Sequence, residues 1–251
     1  MGHTRFPPCL MPPTSPPHPA SPHALNRWVI ALLLTGVFIG HAHAARPMIT
    51  DDARIVDPGA CQLETWTRHD RSGGQENWAL PGCNPTGNLE VTIGGASLRP
   101  LEGGDQSLRQ VQLKSIVRPL TAGDWGWGVA LGGVDRSGAE AGMQPYAYLP
   151  ITLASHGDQA FVHLNLGAQR TVRGGGAAIW GIGTEVTILP RTLLIAESFG
   201  TSGHAAQGQV GLRIWVVPNR VQIDTTWGSG MHGTGHWFTF GVRLLSPSFL
   251  P

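Results

Sequence analysis

The chain has 251 residues, including 35 glycines and 20 prolines, and only 13% of its side chains are charged. A solvated disordered polymer is excluded, because 41% of the residues are hydrophobic and such polymers are poor in apolar residues. The formal net charge is +1 and Lys114 is the only lysine, so a nucleic-acid partner is not expected.

The first segment, residues 1–44, is predicted to be a secretory signal peptide with an N-terminal extension. An apolar block at 28–40 follows Arg27 and precedes Ala42-His43-Ala44, an A-x-A site that a signal peptidase cuts after Ala44. The alternative is an N-terminal transmembrane anchor, which the shortness of the block and the small residues after it disfavour. The proline-rich residues 1–26 suggest no function.

Cleavage after Ala44 also changes the cysteine count and the charge. It removes two arginines and Cys9, so the mature chain has a formal net charge of −1 and keeps Cys61 and Cys83. An even pair of cysteines in a secreted chain predicts a disulfide. No C-x-x-C is present and only His69 lies near the pair in sequence, so we expect neither a zinc site nor any cofactor.

The mature chain shows period-2 alternation of polar and apolar residues and no helical stripe, which predicts an all-β fold. Beyond residue 45 no apolar run is long enough for a membrane-spanning helix, so the mature protein is either soluble or crosses a membrane as strands. Twelve strands are predicted, at 62–69, 76–81, 88–98, 107–118, 126–134, 144–154, 160–169, 178–188, 192–199, 207–217, 219–227 and 236–245.

The connections between these strands alternate in kind. The segments after odd strands are glycine-, serine- or charge-rich, as at 69–75 and 135–143, whereas those after even strands are shorter and often contain proline, as at 189–191. Long loops on one side and short turns on the other, with an even number of antiparallel strands, are typical of an outer-membrane β-barrel. We therefore predict an antiparallel transmembrane β-barrel of about 12 strands.

The faces of the strands support the barrel over a β-sandwich, which alternation alone does not exclude. In 107–118, Val111 and Leu113 share one face and Gln112 and Lys114 the other. Glycines that fall on the polar face would leave room in a narrow lumen; they are Gly94, Gly167, Gly181, Gly183, Gly211 and Gly241. Aromatic residues near strand ends suit the two membrane interfaces; they are Trp66, Trp78, Trp125, Trp127, Trp227 and Trp237.

This assignment of faces predicts a charged lumen with five acids and five bases. The predicted luminal residues are Glu64, Arg68, Glu90, Lys114, Arg118, Glu185, Glu197, Arg213, Asp224 and Arg243. The face of Glu197 is the least defined, because its strand alternates poorly. Two roles stay open at this point: a structural network that neutralises buried charge, or the lining of a passage for small solutes.

The start of the mature chain carries the sequence R-P-M-I-T-D-D-A at 46–53 and G-A-C-Q-L-E at 59–64. This stretch resembles the opening of proteobacterial outer-membrane proteins of the family named for the meta-pathway of phenol degradation. The resemblance implies an outer-membrane barrel with a role in uptake of hydrophobic or aromatic compounds. The cysteine pair and the tail at 246–251 depart from that family's pattern.

An outer-membrane enzyme acting on lipid is the alternative from another class. Ser155, His156, His163, Ser198 and His204 are the residues that such an enzyme could use. None lies in a G-x-S-x-G elbow, and no Ser-His-carboxylate order stands out. We therefore expect a protein that is not an enzyme.

These inferences together predict three segments: a signal peptide with its extension at 1–44, a periplasmic N-terminal segment at 45–60, and an outer-membrane barrel at 61–251. The predicted function is transporter-like or channel-like, for small solutes, with hydrophobic or aromatic compounds among the candidates. A lipid-modifying enzyme and a periplasmic β-sandwich binding module are the alternatives. The expected partners are outer-membrane lipid and a small-molecule solute.

Overall fold

The computed structural model describes residues 47–101, 104–137, 142–171, 174–231 and 235–250. The predicted signal peptide at 1–44 lies outside these residues. Twelve strands follow one another: β1 Cys61–Asp70, β2 Gln75–Cys83, β3 Glu90–Arg99, β4 Gln106–Arg118, β5 Trp125–Arg136, β6 Gly142–Ala154, β7 Ala160–Arg170, β8 Gly176–Leu189, β9 Thr192–Thr201, β10 Gln207–Val217, β11 Val221–Gly230 and β12 His236–Leu245. One 3₁₀ turn, His156–Asp158, joins β6 to β7.

The strands form a closed barrel in which every strand pairs antiparallel with its neighbours in sequence. Strand β1 closes the sheet by pairing with β12, in a register that places Glu64 opposite Arg243 and Trp66 opposite Gly241. Closure satisfies the backbone groups that edge strands would leave unpaired. The predicted 12-stranded barrel is confirmed, and the alternative of a β-sandwich is wrong because the sheet closes on itself.

Polar and apolar side chains are segregated between the inside and the outside of this barrel. In β10, Gln209, Arg213 and Trp215 are buried in the interior, whereas Leu212 and Ile214 are exposed on the outer wall. The same alternation holds in the other strands, since period-2 geometry sends successive side chains to opposite faces. The outer wall thus consists largely of exposed aliphatic and aromatic side chains. No helix in the described part of the chain is long and apolar enough to cross a membrane.

The two ends of the barrel are named here by their connections. The odd-loop end carries the connections after β1, β3, β5, β7, β9 and β11, and the even-loop end carries those after the even strands. The connections have four to six residues at the odd-loop end and two to six at the even-loop end. The two ends therefore differ less in loop length than predicted. The reason is that strands such as β5 and β8 extend into glycine-rich or charged segments that the sequence predicts as loops.

The predicted disulfide between Cys61 and Cys83 is confirmed, with the two Cα atoms 4.0 Å apart. The two residues pair across β1 and β2 at the even-loop end. The tail after β12 returns to the same place: the backbone N–H groups of Phe249 and Leu250 both donate to the carbonyl of Gly59. Gly59 has φ +71°, and a Cβ there would lie 2.9 Å from the carbonyl oxygen of Leu250, so this contact requires glycine.

Candidate functional site

Residues 47–57, called the plug below, extend into the barrel from the even-loop end, and residues 58–60 connect them to β1. Met48, Thr50, Asp52, Ala53 and Val56 are all buried, although the sequence predicts a periplasmic segment at 45–60. That placement is corrected by the contacts of residues 47–57 with the inner faces of the strands, described next. The polar luminal side chains require hydrogen-bonding partners, and the backbone of the plug supplies them.

The first part of the plug is held by a carboxylate on β9. The backbone N–H groups of Ile49 and Thr50 donate to the two oxygens of Glu197, at 2.8 and 2.7 Å. The side-chain amide of Gln209 donates to Glu197 and, at 2.8 Å, to the carbonyl of Pro47. Glu197 therefore faces the interior and accepts several hydrogen bonds, which compensates for the burial of its charge.

The middle of the plug is held by neutral side chains of β6 and β7. Asp51 donates its backbone N–H to Asn165 Oδ1 at 2.7 Å, and Asn165 Nδ2 donates to the Asp51 carbonyl at 2.8 Å. The next contact joins the Ala53 N–H to Thr152 Oγ1, at 2.8 Å. Side chains of the wall thus replace the backbone partners that a neighbouring strand would provide.

Charged side chains of the wall bind the two aspartates and the last residues of the plug. Lys114 Nζ lies 2.8 Å from Asp51 Oδ1 and 3.4 Å from Asp52 Oδ1. The backbone N–H of Val56 donates to Glu90 Oε2 at 3.0 Å. Asp51 and Asp52 of the plug thus neutralise Lys114 of the wall, and the backbone N–H of Val56 supplies a hydrogen bond to the buried Glu90. The polar groups of wall and plug are therefore complementary.

A second group of charges connects the wall strands to one another near the even-loop end. The side-chain amide of Gln62 donates to Glu90 at 3.3 Å, and its Oε1 accepts hydrogen bonds from the Arg243 guanidinium. Arg243 Nε also lies 3.7 Å from Glu64 Oε1. This group links β1, β3 and β12 across the point where the barrel closes.

A third group, fully buried, joins β7, β8, β10 and β11. The guanidinium of Arg213 binds Asp224 at 2.9 Å and also pairs with Glu185. His163 Nε2 lies 3.3 Å from Glu185 Oε1, and its Nδ1 lies 2.9 Å from the hydroxyl of Thr152. Since Thr152 accepts the Ala53 N–H, this chain of polar groups runs from the wall to the plug.

Two glycines of β8 provide the space for the plug. A Cβ at Gly181 would lie 2.6 Å from Thr50 Oγ1, and one at Gly183 would lie 2.7 Å from Met48 Cε. The sequence had placed both glycines on the polar face to make room for long charged side chains. The structure shows that they make room for another part of the same chain.

The predicted luminal residues divide into those that the structure brings together and two that lie elsewhere. The three groups above contain Glu64, Glu90, Lys114, Glu185, Glu197, Arg213, Asp224 and Arg243. Arg68 faces the interior at the odd-loop end, where it pairs with Asp70 at 3.0 Å and covers the Trp237 ring. It takes no part in holding the plug.

The luminal prediction for Arg118 is corrected. The register of β4 and β5 shifts between Ile116 and Arg118, so the alternation of faces breaks before the strand ends. Arg118 pairs with Asp124 at 2.7 Å and lies 4.1 Å from the centroid of the Trp125 ring. Trp125 is exposed on the outer wall, which places Arg118 at the rim of the even-loop end.

Three of the six tryptophans assigned to the membrane interfaces lie in the interior instead. Trp66 and Trp237 are buried, and Trp66 stacks on Trp78 with ring centroids 5.1 Å apart. Trp125 and Trp227 are exposed on the outer wall. Their positions near strand ends suggest a membrane interface. Whether such a side chain points outward or inward depends on its place in the alternation of the strand.

Above the plug, toward the odd-loop end, a cavity of about 480 Å³ opens, called the vestibule below. Ile49 and Thr50 form its floor, and its lining includes Gln112, Tyr146, Tyr148, Gln169, Phe199 and Gln207. Below this level, the cavity between plug and wall measures about 30 Å³, which is room for a water molecule or two. The plug therefore occupies the lumen beneath the vestibule.

The sequence does not identify the neutral side chains that bind the plug. Thr152, Asn165 and Gln209 are ordinary polar residues on alternating strands, and nothing near them in sequence marks a contact with residues 47–57. His163 was weighed as a catalytic residue but lies buried beside Glu185. The available signal was the polar motif at 46–53, because charged and hydroxyl residues there require partners if the segment is buried.

Neither metal binding nor hydrolysis is indicated by the geometry. The described residues contain no group of three or more His, Cys, Asp or Glu side chains that could hold a metal ion. Of the serines considered for catalysis, Ser198 donates to the backbone carbonyl of Gln207 and Ser155 accepts from the Ala160 N–H. Within the described ranges neither serine is hydrogen-bonded to a histidine.

The closed 12-stranded antiparallel barrel of this chain matches the fold of outer-membrane porins. The KdgM porin in complex with disordered oligogalacturonate matches it with a TM-score of 0.56 and 13% identity, over 73% of this chain and 98% of the porin. The NanC porin matches with a TM-score of 0.55 and 8% identity, over 72% of this chain and 98% of that chain.

A family model described as uncharacterised conserved protein UCP029691 matches residues 32–245, and the chain belongs to this family. The sequence matches none of the curated proteins with which it was compared. The resemblance to the phenol meta-pathway family is not confirmed by these comparisons.

Proposed function

We propose that this protein is an outer-membrane barrel that admits small solutes through a lumen closed at rest by its own N-terminal plug. The observation that carries the proposal is the position of the plug: it fills the lumen beneath an open vestibule. The apolar outer wall supports insertion into a membrane, with lipid as its partner.

The nature of the plug's contacts supports its movement. The polar contacts described above between residues 47–57 and the wall are hydrogen bonds or ion pairs with wall side chains, and these residues form no strand of the sheet. Water or a solute can replace such contacts one at a time, so the plug can shift while the barrel stays closed. The connection through Pro58, Gly59 and Ala60 to β1 anchors the plug at the even-loop end.

Sidedness follows from the same geometry. We propose that the odd-loop end faces the outside and the even-loop end faces the periplasm, so that a solute enters the vestibule before it meets the plug. The resemblance of residues 46–64 to phenol meta-pathway proteins keeps hydrophobic and aromatic compounds among the candidate solutes. A lipid-modifying activity has no pairing of serine and histidine to support it in the described part of the chain.

A cysteine lock tests whether the plug must move. A Cβ at Gly181 would lie 3.4 Å from Thr50 Cβ, close to the separation found in disulfides, about 3.5–4.5 Å. The variant Thr50→Cys/Gly181→Cys should therefore bond the plug to β8. We expect the oxidised variant to show no solute flux in liposomes or conductance in planar bilayers, and reductant to restore both.

The controls separate the lock from side effects. Thr50→Cys alone should conduct with or without reductant, and wild type with reductant reports the effect of opening the natural disulfide between Cys61 and Cys83. Equal flux through the locked and unlocked variant would contradict a moving plug. Absence of flux through wild type under all conditions would contradict the proposed function itself.

A further inference from the structure

The vestibule differs in charge from the lumen below it. No Asp, Glu, Lys or Arg is among the described residues that line it, although carboxylates and bases fill the level of the plug. Its volume of about 480 Å³ falls within the range of small-molecule sites, about 300–1,000 Å³. The nearest charged lining, Arg68, Asp70 and Arg71, belongs to an adjoining cavity that shares His204, Ala205 and Gln207 with the vestibule. An ionic solute inside the vestibule would therefore lose hydration without a charged group in its own lining, so this cavity suits an uncharged solute.

The strands β4, β6, β7 and β10 contribute neutral hydrogen-bonding groups to the vestibule. Gln110 donates to the Tyr146 hydroxyl at 3.2 Å, and that hydroxyl donates to Gln112 at 2.9 Å. The side-chain amides of Gln169 and Gln207 also line the cavity, and neither is hydrogen-bonded to any described residue. Each amide offers both donors and an acceptor, which matches a solute that carries several hydroxyl groups.

The apolar part of the lining lies between the last two of these amides. Ile179 of β8 and Phe199 of β9 stand between Gln169 of β7 and Gln207 of β10, and Phe199 pairs directly with Gln207 across the sheet. Ile49 of the plug contributes to the floor with half of its surface exposed. A solute in this cavity therefore meets hydrogen-bonding groups on both sides of an apolar surface. Tyr146 and Tyr148, with ring centroids 6.0 Å apart, add aromatic surface beside the amides.

From this arrangement we infer that the vestibule is a binding site for a neutral saccharide of one or two sugar rings. A pyranose ring presents several hydroxyl groups around its edge and a face of C–H groups, and the vestibule offers amides on both sides of an apolar surface. A simple phenol carries a single hydroxyl and would leave most of the amides unsatisfied. The inference rests on the proposed function, because it names the solute class that the barrel would admit.

Binding to the purified wild-type protein in detergent provides the test, with maltose as the neutral probe. Digalacturonate serves as the anionic probe and phenol as the aromatic one, all measured by calorimetry and tryptophan fluorescence. We expect maltose to bind at least 10-fold more tightly than digalacturonate. Equal or tighter binding of digalacturonate or phenol, or absence of maltose binding at millimolar concentration, would overturn the inference.

A pair of substitutions locates the site. Gln169→Leu/Gln207→Leu removes two amides from the vestibule and should weaken maltose binding by about 10-fold or more, since each hydrogen bond contributes roughly a factor of several. Gln159→Leu, in the turn at the even-loop end, is the matched control and should bind maltose as wild type does. Equal affinity of the double variant and wild type would place the binding site elsewhere.

Failure of this inference can be distinguished from failure of the proposed function. Binding is measured at equilibrium and does not require the plug to move, whereas the cysteine lock is read by flux. Flux that depends on the lock without maltose binding would overturn only the saccharide assignment. Maltose binding without flux would overturn only the uptake function.

Discussion

At the level of single residues, the interior of the barrel shows how buried charge is neutralised. Arg213, Glu185 and Asp224 are fully buried, and the guanidinium of Arg213 pairs with both carboxylates. Neighbouring side chains supply further hydrogen bonds. Of the two roles that the sequence left open for the luminal charges, these contacts support the structural one, because the pairs link strands rather than line the vestibule. A channel role stays open only for the residues that would face water once the plug had moved.

The first prediction concerns this buried triad. Arg213→Met should lower the free energy of unfolding by about 3–5 kcal/mol, because it leaves two carboxylates buried without their cation. Denaturant titration in detergent micelles, followed by tryptophan fluorescence, measures the change. Arg220→Met, at an exposed turn position of the even-loop end, should stay within about 0.5 kcal/mol of wild type. Equal effects of the two substitutions would contradict the structural role of the triad.

At the level of elements, the first hairpin combines three constraints. Strand β1 must pair with both β2 and β12 to close the barrel, the disulfide joins it to β2, and the plug and tail meet just before it. The plug itself is an element without a ladder of its own, since its backbone is held by wall side chains. Its position therefore depends on the completed barrel.

The second prediction concerns the disulfide of this hairpin. Cys61 and Cys83 are 22 residues apart in sequence, and a loop of this size restricts the unfolded chain by about 3 kcal/mol in the chain-entropy model. Cys61→Ser/Cys83→Ser should therefore be less stable than wild type by about that amount while keeping the same folded circular dichroism spectrum. Reductant should shift the wild-type unfolding curve to that of the variant and leave the variant unchanged; a wild-type curve indifferent to reductant would argue against this.

At the level of the whole molecule, the outer wall and the lumen have opposite chemistry. The outside presents aliphatic and aromatic side chains, and the inside presents amides, hydroxyls and paired charges. This inside-out arrangement suits a barrel surrounded by hydrocarbon.

The third prediction tests whether lipid surrounds the barrel. Leu212 lies at the middle of β10 and Val216 near its end, on the same outer face, with exposed fractions of 40% and 49%. In a bilayer, Leu212→Arg should cost about 2–4 kcal/mol and Val216→Arg about 0–1, because the penalty depends on depth. Folding into lipid vesicles, measured by the shift of the folded form on unheated gels, reports the difference. In a water-soluble barrel the two substitutions would cost about the same.

The sequence alone determined the class of fold, because period-2 alternation depends only on the local geometry of a strand. Twelve alternating segments gave twelve strands, and the parity of Lys114, Glu185, Arg213 and Asp224 placed them on the inner face. The disulfide was predictable for a similar reason, since Cys61 and Cys83 flank one hairpin. Where the alternation is interrupted by a register shift, as at Arg118, the prediction failed.

The tertiary structure alone decided the position of the plug and hence the state of the lumen. Residues 47–57 carry no period that marks them as buried, and their partners Thr152, Asn165, Glu197 and Gln209 lie about 100 to 160 residues away in sequence. Such contacts form only after the strands have closed into a cylinder that brings distant side chains around one axis. Local patterns specify which face a residue takes, whereas the closed barrel determines what that face contacts.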